Sequence, residues 1–150
     1  MNKLSPMTEP QPLPERRKKQ IIERARKTSV RNLRRIADLH NDIFMLRGPE
    51  SLVWPDTCPV LGIPITSLPK GRKGMANDSA SLEKVLPEAG YTPLNTRVIS
   101  GKAKRIRRGR SLSELDIALK KARENAAEWA ERAENLRLVI EWLQHEILNP

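Results

Sequence analysis

The sequence predicts an α+β fold that is mainly helical, in which a small ββα module lies between a basic N-terminal helix and a long C-terminal heptad helix. Three observations lead to this prediction. A basic stretch from residue 15 to residue 45 contains neither proline nor glycine. Two short runs of strand-forming residues follow, separated by a turn-rich stretch. From residue 111 onward, apolar residues alternate at spacings of three and four.

The N-terminal part of the chain is predicted to be a tail followed by a helix. Residues 1–14 contain four prolines among polar residues, which is typical of a disordered segment. Residues 15–47 are predicted to form one basic amphipathic helix, because apolar residues from Ile21 to Phe44 recur at spacings compatible with one helical face. Gly48 and Pro49 come next, and the helix is expected to end before them.

The central part of the chain, residues 48–110, is predicted to form the ββα module. Residues 82–85 and 96–99 are the strand candidates, and the basic run at residues 102–108 is expected to be the short helix. The apolar stretch CPVLGIPI at residues 58–65 is predicted to pack in the core, with Cys58 as a small buried side chain. A single cysteine excludes an intrachain disulfide.

The C-terminal part, residues 111–150, is predicted to be one long helix. Ser111 and Glu114 have the spacing of a capping box, and about five heptads follow. The apolar seam is open to two interpretations: self-association as a coiled coil, or packing against the chain's own N-terminal helix. We favour self-association, because such a helix outreaches so small a domain. The predicted oligomerisation residues are Leu115, Leu119, Trp129, Leu136, Ile140, Leu143 and Ile147.

The charge of the chain predicts binding to phosphate polyanions. The formal net charge is +10 and the isoelectric point is about 10.3. Residues 15–35 hold ten Lys or Arg against two Glu, and residues 102–110 hold six bases and no acid, whereas residues 111–150 hold eight acids against five bases. The predicted phosphate contacts are Arg16, Arg17, Lys18, Lys19, Arg24, Arg26, Lys27, Arg31, Lys102, Lys104, Arg105, Arg107, Arg108 and Arg110.

Membrane insertion is not expected from this sequence. No run approaches the roughly 20 apolar residues that cross a bilayer, and the N-terminus lacks the apolar segment of a signal peptide. The chain is therefore expected to be soluble and intracellular, without a membrane partner.

Residues 58–108 carry a recognisable order of motifs. CPVLGIPI at residues 58–65 is followed by SLEKVL at residues 81–86 and by GYTPLNTRVISGKAKRI at residues 90–106. This order resembles a branch of the HNH (His-Me finger) endonucleases found in phage genomes, in which CPVLGIPL precedes the pattern SxLDRIDxPxxGYxxxNxxVISxxANxIK. The resemblance implies a ββα fold and descent from a metal-dependent nuclease.

The resemblance also implies roles for individual residues. Glu83 falls where the family has a metal-binding acid, Lys84 where this branch has Arg and the wider family has a catalytic His, and Asn95 where an Asn fixes the loop. A protonated lysine is a poor general base, and Lys104, which replaces the Asn of the helix, would repel a divalent cation. Glu83, Lys84 and Asn95 are thus vestigial catalytic candidates, and no metal site or cofactor is predicted.

Three functions follow from these observations. The first is a phage-type DNA- or RNA-binding protein derived from an HNH endonuclease, catalytically degenerate, that self-associates or docks to a helical partner through its C-terminal helix and acts in the virion or in packaging. The second is an active HNH endonuclease that uses Mg²⁺. The third is a structural or regulatory viral protein that does not bind nucleic acid. The expected location is the host cytoplasm or the virion.

Overall fold

The computed structural model of this chain describes residues 12–35, 44–66, 77–124 and 130–150, without the side chains of residues 30–35. Within these residues the fold is α+β, as predicted, with four α-helices and one two-stranded antiparallel sheet. The helices are α1 (Glu15–Arg35), α2 (Gly101–Arg107), α3 (Leu112–Glu124) and α4 (Ala130–Leu148). The strands are β1 (Ala80–Lys84) and β2 (Thr96–Ser100). None of the described helices is long and apolar enough to span a bilayer.

Helix α1 begins directly after Pro14, whose carbonyl oxygen accepts hydrogen bonds from the backbone of Arg17 at 2.9 Å and of Lys18 at 3.1 Å. Its buried face includes Ile22, as the amphipathic pattern predicts. The prediction that this helix extends to residue 47 is wrong. Phe44 instead forms a bridge with Tyr91, and the next backbone amide donates to the Tyr91 carbonyl at 2.7 Å, so this segment is extended. The predicted tail lies outside the described residues, except for residues 12–14.

The CPVLGIPI stretch forms a compact loop that buries Cys58, Val60 and Ile65 in the core, in line with the predicted packing role, while Pro59 and Pro64 are exposed. The Cys58 backbone amide donates to the Ile63 carbonyl at 2.8 Å, and the Gly62 amide donates to the Cys58 carbonyl at 2.9 Å. Gly62 has a φ of +69°, which side chains with a Cβ disfavour. The Cys58 side chain is buried, and its sulfur accepts a hydrogen bond from the Ser100 amide at 3.3 Å. This loop is thereby attached to the start of α2.

The β1–β2–α2 order agrees with the predicted sequence of elements. The strands pair in register from Ala80 opposite Ser100 to Lys84 opposite Thr96. Ser100 then caps α2, because its hydroxyl accepts a hydrogen bond from the Ala103 amide at 3.2 Å. Helix α2 packs on both strands and on α4, so its side chains divide between the core and the surface.

The C-terminal segment begins with the predicted capping box. The Ser111 amide donates to the Glu114 carboxylate, and the Glu114 amide donates to the Ser111 hydroxyl, each at 3.3 Å. The prediction of one continuous helix over residues 111–150, however, is wrong. The described residues form two helices, α3 and α4, that pack against each other, which two halves of one straight helix cannot do. Folding back lets each apolar stripe bury the other within one chain.

The predicted oligomerisation seam therefore lies mostly inside the molecule. Ile147 is 38% exposed, and Trp129 lies outside the described residues. The other five predicted seam residues belong to the buried core, where they cannot contact a second copy of the chain without unfolding. These five are Leu115, Leu119, Leu136, Ile140 and Leu143.

Candidate nucleic-acid interface

A strongly basic cleft of about 480 Å³ lies between α2 and the first turns of α4. Among the described side chains that line it, Glu131 is the one acid, and its carboxylate lies 3.7 Å from the Lys102 ammonium. Five cationic side chains face this acid, four from the predicted basic run and one from α4. They are Lys102, Arg105, Arg108, Arg110 and Arg132.

The end of α2 shapes this cleft. The Arg108 amide closes the helix by donating to the Lys104 carbonyl at 3.0 Å. Arg108 and Gly109 both have positive φ, at 53° and 66°, so the chain turns sharply there before α3 begins. Arg108 is exposed, and Arg110 donates to the carbonyl oxygens of the last turn of α2. The turn thus keeps bases from both sides of Gly109 at the rim of one cleft.

A second cleft of about 460 Å³ lies between α3 and α4 and shares two lining residues with the first. Arg110 and Arg132 line both clefts, and Lys121 adds a further positive charge to the second. Sequence reasoning did not select Arg132, because it lies in a segment with more acids than bases. Charge counting along the chain gives no signal for it. It reaches the cleft because α4 folds back along α3.

Arg107, which was predicted to contact phosphate, is instead a buried structural residue. Its side chain is 1% exposed, and one guanidinium nitrogen lies 3.2 Å from the Glu83 carboxylate. The same guanidinium donates to the backbone carbonyls of Lys84 and, at 2.7 Å, of Val85. Arg107 therefore ties the end of α2 to the end of β1, and it cannot reach a nucleic acid in this fold.

Glu83, the predicted vestigial metal ligand, lies in the same buried cluster. It is 6% exposed, and burial raises the pKa of its carboxyl group, although nearby Lys104 and Arg107 act in the opposite direction. Lys104 is half-buried and donates to the Leu82 carbonyl at 2.6 Å, and burial lowers the pKa of its ammonium group. Glu83 is thus surrounded by cations. Within the described parts of the chain, no group of three or more His, Cys, Asp or Glu could hold a metal ion.

The other two catalytic candidates also have structural contacts. The Lys84 ammonium lies 5.1 Å from the centre of the Tyr91 ring, within the range of a cation–π interaction. The Asn95 side chain accepts a hydrogen bond from the Leu86 amide at 2.9 Å and donates to the carbonyls of Leu86 at 2.8 Å and Gly90 at 2.7 Å. Asn95 therefore fixes the loop between β1 and β2, which is the role that the resemblance implies for it.

The predicted contacts on α1 fall into two groups. Lys18 lies over the Trp54 ring at 5.7 Å and Arg26 over the Phe44 ring at 5.6 Å, so these two cations hold α1 against the loop that follows it. Arg17 is half-buried, and the Arg31 side chain lies outside the described residues. The remaining bases are exposed on one face of α1 beside Glu23. They are Arg16, Lys19, Arg24 and Lys27.

Comparison of the chain with protein-family models, with curated proteins and with solved structures finds no match. The kinship with HNH endonucleases therefore stays a prediction from the motifs.

Proposed function

We propose that this protein binds DNA or RNA through the phosphate backbone at the α2–α4 cleft, as a catalytically inactive descendant of a phage HNH endonuclease. The observation that carries the proposal is the convergence of five cationic side chains, from α2, from the turn that follows it and from α4, on one cleft whose described lining has a single acid. A concentration of positive charge on one face is typical of nucleic-acid-binding surfaces.

The chemistry of the cleft suits phosphate oxygens. Arginine presents a planar fork of N–H donors that can bind two phosphate oxygens at once, and four of the five cations are arginines. Each phosphate that is neutralised releases condensed counterions, so affinity falls steeply as salt rises. Recognition of this kind does not depend on base sequence. The exposed face of α1 would add a second basic surface to the complex.

The buried cluster argues against cleavage at the position where the family has its metal. The Glu83 carboxylate pairs with a guanidinium in the core, and the Lys104 ammonium lies where a metal-binding Asn is expected. Mg²⁺ requires oxygen ligands and a net negative site, whereas the groups that interact most strongly with Glu83 are cations. Binding without cutting therefore accounts for the arrangement better than active nuclease chemistry.

Fluorescence anisotropy with a labelled DNA duplex tests the binding site. We expect R105A/R108A to bind at least about tenfold more weakly than the unmodified chain, because hydrogen bonds to charged groups contribute about 1.5 kcal/mol or more each. The slope of log affinity against log salt should become less negative by about 2. The matched control is K120A/R137A, which removes two cations outside the cleft. Equal losses in both variants would contradict the proposed site.

A plasmid assay tests the absence of cleavage. The protein is incubated with supercoiled plasmid and Mg²⁺ or Mn²⁺, beside the E83Q variant. We expect no cutting by either protein. Cutting that disappears in E83Q would overturn the inactive assignment and favour the endonuclease hypothesis. Failure of the unmodified protein to bind any duplex or single strand at low salt would favour the viral interaction protein that does not contact nucleic acid.

A further inference from the structure

A second, smaller basic recess lies where α1 packs against β1, away from the α2–α4 cleft. Its volume is about 240 Å³, half that of the α2–α4 cleft, and the two share no lining residue. Helix α1, strand β1, α2 and the loop after β1 all contribute to it. The side chains that could bind a ligand are Arg17, Arg24, Lys104, Ser79, Ser81 and Tyr91.

The recess is positively charged. Its described lining contains three cations and no acid. The nearest carboxylate that interacts with Lys104 is Glu83, and this carboxylate also interacts with Arg107 and Lys84. One carboxylate therefore shares its charge among three cations, and no acid of the described lining faces the two arginines of α1 in the recess. An anion would complete this balance of charges.

The donors are held in place by contacts that leave them capacity for a ligand. The Lys104 ammonium uses one of its three N–H donors on the Leu82 carbonyl, at 2.6 Å. Arg17 donates to the neighbouring Gln20 side chain at 3.2 Å, which uses one of the five donors of the guanidinium. Arg17 and Arg24 are seven residues apart, two turns along the same face of α1. They can therefore approach one ligand from the same side.

We infer that this recess binds the terminal phosphoryl group of a phosphate monoester. Such a group carries close to two negative charges at neutral pH and three terminal oxygens, which match two guanidinium groups, an ammonium group and hydroxyl groups. Drug-sized ligands occupy pockets of about 300–1,000 Å³, so a recess of about 240 Å³ suits one phosphoryl group and the sugar edge that carries it, and not a duplex. The ligand could be the 5′ end of a strand or a free phosphate compound.

The first measurement uses inorganic phosphate as the probe and thermal unfolding as the readout. Phosphate should raise the unfolding midpoint by about 2 °C or more over sodium chloride of equal ionic strength, because a ligand that binds the folded state stabilises it. R17Q/R24Q should lose this shift, whereas K120A/R137A, which changes two cations outside both the recess and the α2–α4 cleft, should keep it. In sodium chloride, an unfolding midpoint of R17Q/R24Q close to that of the unmodified protein will show that the variant folds. Absence of the shift in the unmodified protein, or its persistence in R17Q/R24Q, would overturn the inference.

The second measurement distinguishes the two sources of the phosphoryl group. We compare binding of one labelled duplex with 5′-phosphate ends and of the same duplex with 5′-hydroxyl ends. A strand end as ligand predicts at least about fivefold tighter binding of the phosphorylated duplex, lost in R17Q/R24Q and retained in K120A/R137A. Equal binding, together with the thermal shift, would identify a free phosphate compound as the ligand. Because the thermal measurement needs no nucleic acid, failure of the α2–α4 proposal would leave it interpretable.

Discussion

Two sides of α2 place neighbouring arginines in opposite environments. Arg107 is buried and bonded to Glu83 and to the backbone carbonyls of Lys84 and Val85 at the end of β1. Arg105, two residues earlier in α2, and Arg108, in the turn directly after it, are exposed at the α2–α4 cleft. A helix of 3.6 residues per turn points successive side chains about 100° apart, so one short basic run can serve the core and the surface together. Charge counting along the sequence treats these residues as equal, and the fold separates them.

The largest difference between the buried and the exposed arginines is expected for R107A. R107A removes the guanidinium that pairs with the buried Glu83 carboxylate and binds two backbone carbonyls, and we expect the free energy of unfolding to fall by about 3–5 kcal/mol. Urea unfolding followed by circular dichroism measures the loss. The control is R108A, whose exposed side chain should change the same quantity by less than about 0.5 kcal/mol. Similar small effects from both variants would show that the two sides of α2 do not differ.

The apolar residues of α3 and α4 give a second comparison. They can pack against each other within one chain, or they can pack against a second copy of the chain. L136A should reduce the free energy of unfolding by about 3 kcal/mol, because it removes a buried side chain from the core. L148A, at a residue that is 79% exposed, is the matched control and should have little effect. Unfolding midpoints should not depend on protein concentration if the seam is intramolecular. A midpoint that rises with concentration would support self-association instead.

A smaller effect is expected at the loop between β1 and β2. N95A removes three hydrogen bonds and leaves backbone groups of Leu86 and Gly90 without their partner, which should cost about 2 kcal/mol. Limited proteolysis should then cut this loop faster. Asn149 is exposed and makes one side-chain hydrogen bond to the His145 carbonyl, so N149A serves as the control. Equal protease resistance in both variants would remove Asn95 as the residue that fixes the loop.

Local signals in the sequence predicted much of this fold. The capping box at Ser111 and Glu114, the strand pair and the core role of Cys58 depend on interactions between close neighbours or on burial, and the structure has all of them. The packing of α4 against α3 could not be predicted in this way. Apolar residues from α3 to α4 keep heptad spacing in the sequence, which fits one straight helix as well as a hairpin. The hairpin is favoured only by the free energy gained when α3 packs on α4.

The candidate site could be predicted only in part. Four of the five cleft cations lie within residues 102–110, where the charge run is evident. The sequence could not show that Arg107 faces Glu83, because that contact joins α2 to β1 across 24 residues. Arg132 was not predicted either, because it reaches the cleft only when α4 packs against α3. Tertiary packing decides which charges are available to a ligand.

Arg132 also provides the most direct test of the central claim, which is that two helices converge on one phosphate-binding cleft. We would measure the salt dependence of duplex binding for R132A and for R123A, which removes an exposed arginine of α3 that lines neither cleft. If both helices contribute to the cleft, R132A should make the slope of log affinity against log salt less negative by about 1, while R123A should leave it unchanged. Equal slopes for R132A and the unmodified protein would contradict it.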